Sequence, residues 1–163
     1  MVILRSAEST DAASTWSVRA AAIRELCESD YGAAELAAWA STPMPDRHAA
    51  ATSRESFLVA EQDGAVVGFG LLDTETSEVE AVFVHPGAAR RGIGRQLLAG
   101  LEDIARRAGL TSLRLSSSLN AVRFYEGAGY QRVERTVYRH PSGLELACVA
   151  MRKSLVAGRD EQR

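Results

Sequence analysis

The stretch HPGAARRGIGRQLLAGLEDIARRA, His85 to Ala108, decides how this chain is read, because it joins a strand to a helix through a loop suited to an anion. Upstream, Val79-Glu80-Ala81-Val82-Phe83-Val84 is rich in β-branched and aromatic residues and meets no breaker before Pro86, which predicts a strand. Downstream, Leu97, Leu98, Leu101, Ile104, Ala105 and Ala108 recur at helical spacing, which predicts a helix from near Arg91 with one apolar face. The opposite face is expected to be charged and solvated, with Glu102–Arg106 and Asp103–Arg107 as i,i+4 pairs in acid-first order.

Between the two lies Arg90-Arg91-Gly92-Ile93-Gly94-Arg95-Gln96. Its glycines let the backbone come close to a ligand, and the unpaired amides and positive dipole end of the first helical turn favour a phosphate. Arg90, Arg91 and Arg95 add long-range attraction. A glycine-rich helix start with a solvated basic cluster is the other reading of the loop alone. A Rossmann fingerprint is excluded, because Leu97 stands where the third glycine is needed, and the absence of G-K-[ST] excludes a Walker A loop.

Ala89-Arg90-Arg91-Gly92-Ile93-Gly94, following Val84-His85-Pro86, resembles the pyrophosphate-binding motif of the GCN5-related N-acetyltransferases, [QR]-x-x-G-x-[GA] after a strand and V-x-P, with Ala89 at the first position. A second segment, Ser118 to Tyr130, is similar to the family's asparagine-led helix ending F-Y-x-x-x-G-[FY], here Phe124-Tyr125 through Gly129-Tyr130. The resemblance covers roughly residues 57 to 153. It implies a GNAT-type acyl-CoA N-acyltransferase fold of the α/β (α+β) class, a central mixed, mostly antiparallel sheet with splayed parallel strands, flanked by helices. It also implies acetyl-CoA as cosubstrate, with Arg90 to Gln96 cradling the pyrophosphate, the backbone of Val82, Phe83 and Val84 pairing with the pantetheine arm, and Asn120 contacting that arm.

Length and composition agree with a single domain. The 163 residues, 46% of them hydrophobic, suffice for one domain with a real core. We expect residues 1–56 to cap an acceptor site, 57–153 to bind acetyl-CoA and 154–163 to form a polar tail. Nineteen basic against 21 acidic residues give no electrostatic reason to expect nucleic acid. No apolar run approaches the roughly 20 residues of a membrane span, and the N-terminus lacks the order of a signal peptide, so no membrane partner and a cytoplasmic location are expected. Cys27 and Cys148 read as free thiols rather than a disulfide. A homodimer is left open.

Along the chain, Val2 to Arg5 reads as a first strand, and Glu8 to Glu28 as one or two helices with Trp16, Ala20, Ile23 and Cys27 on one stripe. Ala33 to Ala40 reads as a short helix with Leu36 and Trp39 inward, Ser41 to Pro45 as a loop, and Asp46 to Ser53 as a helical turn or two with Asp46 the N-cap. Trp39, Pro43, Met44 and His48 are candidates for an acceptor pocket, ordinary packing of a lid being the alternative. Phe57 to Glu61 and Ala65 to Leu72 flank Asp63-Gly64, a two-residue hairpin signal. Leu113 to Ser116 is a strand that the crossover should set parallel to Val79–Val84. Tyr130 to Tyr138 and Leu144 to Met151 form a last hairpin through Pro141-Ser142-Gly143, and Arg159 to Arg163 a frayed end.

Acetyl transfer needs a neutral amine, while an alkylammonium has a pKa near ~10.4, so a group must accept a proton, and the departing thiolate must receive one or be otherwise stabilised. Tyr125 matches the family's tyrosine and is the candidate acid, packing beside Phe124 being its other role. Glu80 is the candidate base, on a face that alternation shares with Val82 and Val84 and sets opposite Ala81 and Phe83; Glu78, or a water chain, is the alternative. Asn120 is also a helix N-cap candidate. Ser116-Ser117-Ser118 has no nucleophile elbow, His85 is structural, and His48 and His140 show no metal spacing with the cysteines, so no metal is expected. The acceptor is expected to be the primary amine of a small molecule, acetylated directly without an acetyl-enzyme. Its alternatives are a protein or peptide amine, or a module that binds acyl-CoA without turnover.

Overall fold

In the computed structural model, which describes residues 1–27, 29–140 and 143–156, the chain runs β1 (Val2–Ser6), α1 (Ala12–Leu26), α2 (Ala33–Ala40), α3 (Asp46–Ala51), β2 (Phe57–Gln62), β3 (Ala65–Asp73) and β4 (Glu78–Val84). It continues through α4 (Ile93–Arg107), β5 (Ser112–Ser118), α5 (Val122–Gly127), β6 (Gln131–Arg139) and β7 (Glu145–Ser154). The seven strands form one sheet in the order β1-β2-β3-β4-β5-β7-β6. All neighbours are antiparallel except β4 and β5, so the sheet is mixed and mostly antiparallel, as the resemblance implies.

Local sequence explains the order. Asp63 and Gly64 both take positive φ, 52° and 79°, which is the twist a two-residue turn needs to pair β2 with β3. The crossover helix α4 then carries the chain over one face, which makes β5 parallel to β4. Leu97, Leu98, Leu101 and Ala105 of α4 are fully buried against that face. Glycine in β3 permits this close packing: a Cβ at Gly68 would lie 3.1 Å from Leu97 Cδ1, and one at Gly70 3.0 Å from Leu101 Cδ1. On the other face, Val18 of α1 packs with Phe57, Val59, Phe69 and Leu71, and Ile23 joins α1 to Leu36 and Ala40 of α2. Arg5 fixes where α1 starts, donating from Nη1 and Nη2 to Asp11 at 2.7 and 3.0 Å and from Nε to Glu61 at 2.8 Å.

Four expectations are corrected. Helix α4 begins at Ile93 rather than near Arg91, because Gly92 takes φ 80° and stands outside the helix as its cap. Glu102 is not on a solvated face: it is 6 % exposed, and Lys153 Nζ reaches both its carboxylate oxygens at 2.9 Å while Tyr130 donates to Oε2 at 3.2 Å. That partner comes from β7, which runs on to Ser154; on the exposed face, Asp103 pairs with Arg106 one turn away at 3.4 Å. The buried stripe of α1 runs through Thr15, Val18, Arg19, Ala22 and Ile23, leaving Trp16 and Ala20 at its margin. The N-cap of α3 is Pro45, with Asp46 the first helical residue, so the aspartate adds charge to the first turn instead of capping it. Pro141 and Ser142 of the last turn, Glu28, and Arg159–Arg163 lie outside the described residues. Cys27 and Cys148 are free thiols, as expected, and both are buried.

Candidate active site

Strand β4 is irregular where the chemistry was expected. Its register with β3 runs Leu71↔Ala81 and then Leu72↔Val79, so Glu80 is an extra residue with no partner, a β-bulge. Bulges reverse alternation, and the packing records it. Val79 and Val82, three residues apart, both pack toward α4, while Ala81 and Phe83 pack toward α1. Glu80 is therefore not on the face of Val82 and Val84, as plain alternation predicts. Its carboxylate lies 3.7 Å from Nη1 of Arg54, in the segment joining α3 to β2, on the side capped by α1 and α3. Burial raises its pKa above the ordinary carboxylate value, with the Arg54 charge opposing. Glu78 instead meets Arg114 at 3.7 Å.

Beyond the single rung Glu78↔Arg114, β4 and β5 part, and β5 continues as a full ladder with β7. The expected splay is thus present. It opens into a cavity of about 720 Å³ whose walls include Glu80, Val82, Phe83, Ser116 and Ser118 of the two strands and Tyr125 of α5. Tyr125 is 7 % exposed, with its ring edge-on to Phe124 and Tyr130. Burial pushes its phenol well above the usual value, so it stays protonated at neutral pH and holds a proton to give.

The phosphate-type loop adjoins this cavity without lining it. Arg90 and Gly92 take φ 63° and 80°, turning the backbone twice just before α4. Amides at the start of a helix have no carbonyl one turn back; here Gln96 N–H is the first to find one, donating to Gly92 at 3.0 Å. The amides available to a ligand are accordingly those of Ile93, Gly94 and Arg95, while the Ile93 side chain is fully buried and the Gln96 amide is spent in the helix. Gly94 lies between Phe124 and Val84, which ties the loop to α5 and to the end of β4. Arg90, Arg91 and Arg95 are exposed, Arg95 donating to the Gly127 carbonyl at 3.4 Å. Asn120 is exposed in a 3-10 turn, and Ala121, not Asn120, occupies the N-cap of α5, so the capping role falls away. His85 is structural, its Nδ1 accepting from Gly87 N–H at 3.0 Å. Among the described residues no three His, Cys, Asp or Glu side chains cluster as a metal site would require, and no helix is long and apolar enough to cross a membrane.

On the cap side, Trp39, Pro43 and His48 line the cavity; Met44 is 40 % exposed and does not. His48 is held by Thr15 Oγ1 at 2.8 Å and ringed by Trp16, Phe57 and Phe69, and burial, with Arg19 adding to it, lowers its pKa. Sequence reasoning missed Arg19, Tyr31, Tyr138 and His140. Tyr31 bridges the cap to the sheet, donating to Ala147 O at 2.6 Å and accepting from Leu119 N–H at 3.0 Å. Arg19 is 8 % exposed, and burial lowers its guanidinium to about 10, so it remains charged at neutral pH. The spacing Trp16-x-x-Arg19 inside an apolar stripe was its available signal, since i and i+3 share a helix face.

Comparison with known proteins places this arrangement. A family model described as an acetyltransferase (GNAT) domain matches residues 27–155. A GCN5-related N-acetyltransferase of Rhodopseudomonas palustris, also described as aminotransferase class-II, is 32% identical, with a TM-score of 0.83 over 93% of this chain and 94% of that one. PaiA N-acetyltransferase of Thermoplasma acidophilum, solved in complex with coenzyme A, shares the fold at 18% identity and a TM-score of 0.73, over 94% of this chain and 99% of its own. In sequence, the IAA acetyltransferase of Azospirillum brasilense is 45% identical over 67 residues, 39% of this chain and 44% of that protein. The chain spans less than half the length of the curated relatives it matches. A matching family model over most of the length, and a sheet that splays beside a loop of free amides, lead to one conclusion: the chain belongs to the GNAT acetyltransferase family.

Proposed function

We propose that the protein is an N-acetyltransferase that moves the acetyl group of acetyl-CoA directly to the primary amine of a small molecule in the cytoplasm. The observation that carries this reading is the parting of β4 from β5, which opens between Glu80 and Tyr125 and leads to the free amides at the start of α4. Acetyl-CoA would lie with its diphosphate on the amides of Ile93, Gly94 and Arg95, drawn in by Arg90, Arg91 and Arg95. Its pantetheine amides would pair with the edge of β4 at Val82, Phe83 and Val84, and Asn120 would reach the same arm. Residues 1–56 act in this reading as the acceptor cap and 57–153 as the cosubstrate-binding core.

In the reaction, the amine nitrogen attacks the thioester carbonyl carbon, the C–N bond forms, and the C–S bond breaks with its electron pair going to sulfur. The ammonium gives up two protons overall. Glu80, directly or through a water, accepts the first; Tyr125 protonates the sulfur as it leaves, and the second proton from the nitrogen restores the phenol. Partial desolvation raises the Glu80 pKa, which suits a base better than an unshifted carboxylate would, and the 37 % exposure of its side chain leaves room for a water relay. The cavity walls on the cap side, with Trp39 and Tyr31 edge to face at 5.5 Å, suit a small acceptor better than an extended peptide. The A. brasilense relative, named for a small molecule, agrees.

A thermal-shift titration with acetyl-CoA, CoA, NAD and ATP at equal concentrations tests the reading. A ligand at a hundredfold excess over its Kd stabilises the fold by about 2.7 kcal/mol, roughly 5–10 °C in Tm for a chain of this size. Acetyl-CoA and CoA should raise the midpoint while NAD and ATP leave it in place. No shift with either CoA species would overturn the proposal.

A further inference from the structure

Arg19, Arg47 and Arg54, with Glu78 and Glu80, put formal charge on the cavity walls, and their pairing is uneven. Glu80 has Arg54 at 3.7 Å and Glu78 has Arg114 at 3.7 Å. Arg19 has no carboxylate among the described residues. Its Nη2 donates to the Trp39 carbonyl at 3.1 Å, and its guanidinium carbon lies 4.2 Å from the Trp16 ring centroid. Its Nη1 is buried without an acceptor. Arginine is almost never this buried unless it is paired, and an unmet charged donor is among the costlier things a folded protein retains. Arg19, on the α1 wall, is therefore a buried cation left without a carboxylate, while the carboxylates of β4 each sit beside an arginine.

We propose that Arg19 anchors a carboxylate of the acceptor, so that the acceptor is a small amino carboxylic acid. The proposal rests on the acetyl-transfer reading and narrows it. A molecule carrying both an ammonium and a carboxylate complements a cavity lined by an unpaired guanidinium of α1 and a carboxylate of β4: the carboxylate meets the guanidinium, and the amine points to Glu80. One guanidinium, with one face against Trp16 and one edge on Trp39, offers the planar fork that suits a carboxylate; a phosphate, with three oxygens to satisfy, would want further donors. Trp16, whose ring lies under the guanidinium, and Trp39 both line the cavity and give the carbon skeleton an apolar surface.

The test offers the acetyl-CoA complex a panel of small amino carboxylates, each beside its decarboxylated amine and its amide, and follows CoA release. At least one amino carboxylate should exceed both counterparts in kcat/KM by about ten- to a hundredfold, the span of a charge-assisted hydrogen bond. Arg19→Met, which keeps the aliphatic stem, should bring that ratio within threefold while the KM for acetyl-CoA holds, and Arg19→Lys should retain part of it. Independently of turnover, 3-phenylpropanoate should raise the midpoint of the wild-type CoA complex more than 3-phenylpropanol does, and that difference should vanish in Arg19→Met. Should acetyl-CoA bind and amines be acetylated with no preference for the carboxylate, or should the preference survive in a folded Arg19→Met, the anchor is refuted and acetyl transfer stands. Should acetyl-CoA fail to bind, the acetyl-transfer reading itself has failed. The phenylpropanoate comparison, run on the protein without CoA, then decides the anchor alone, and equal midpoints for the two probes would refute it.

Discussion

Two substitutions at Gly94 separate a cradle for phosphate from an ordinary helix start. A Cβ there would meet Phe124 at 3.4 Å and Val84 Cγ2 at 3.6 Å, ordinary contact distances that need no rearrangement. Gly94→Ala should therefore fold, gain about 0.5–1 kcal/mol of helix propensity, and raise Tm by about 1–4 °C. Because the added methyl points at Phe124 and Val84 rather than along the amides, the Kd for acetyl-CoA should stay within about threefold. Gly94→Glu adds a carboxylate in the first turn of α4. Placed ~6 Å from a diphosphate of about two charges, with an effective dielectric of 20–40, it opposes binding by about 3–5 kcal/mol, two to four decades in Kd. Calorimetry with acetyl-CoA at low salt reads both variants, and circular dichroism checks their folds. Wild-type affinity in Gly94→Glu would refute the cradle; loss of binding in a well-folded Gly94→Ala would show the diphosphate approaching from the side of Phe124, contrary to this geometry.

Glu80→Gln should lower kcat/KM by about 10²–10⁴-fold if the carboxylate is the base. The wild-type rate should rise with pH as Glu80 ionises, at a pKa above the usual carboxylate value because burial disfavours the charge; in Glu80→Gln that limb should be absent from a profile of kcat/KM, and its persistence would exclude Glu80. Tyr125→Phe should reduce kcat with little change in the KM for acetyl-CoA, and unchanged turnover would remove the phenol from the mechanism. Lys153→Met strands the buried Glu102 carboxylate and should cost about 2–4 kcal/mol in a denaturant melt, somewhat under the value for a fully buried pair because Lys153 keeps some exposure. The double variant Glu102→Met with Lys153→Met should recover most of that loss.

Much of the frame was legible because its signals are local. Asp63-Gly64 dictates a turn from two residues, and the leucines of α4 declare their face by spacing alone. The sharp turn before α4 was legible for the same reason, since glycine at 92 answers a backbone demand that few other residues meet. What failed depends on partners distant in the chain. Glu80 could be aimed only by knowing how β4 registers on β3, where one extra residue reverses the alternation. Glu102 looked like half of a surface pair because Lys153, 51 residues on, cannot be foreseen as its neighbour. Arg19 was passed over because an arginine on a helix reads as a long side chain reaching for water, and the Trp39 carbonyl that holds its guanidinium inside lies 20 residues on.

The single rung between β4 and β5 also bears on how the molecule comes apart. Hydrogen bonds make the first four strands one ladder and the last three another, with little between the two. Cooperative unfolding of the whole must then be carried by side chains: one cluster on α4, Leu98, Leu101 and Ala105, touches Leu72 and Val79 of the first ladder and Leu113, Leu115 and Met151 of the second. Helix α4 thus acts as a rivet, and the all-or-none character of the melt resides in three of its residues more than in the sheet itself. Trimming Leu101 to alanine would cost the usual 2–5 kcal/mol, roughly, of a buried leucine and would also let the two ladders melt at separate temperatures.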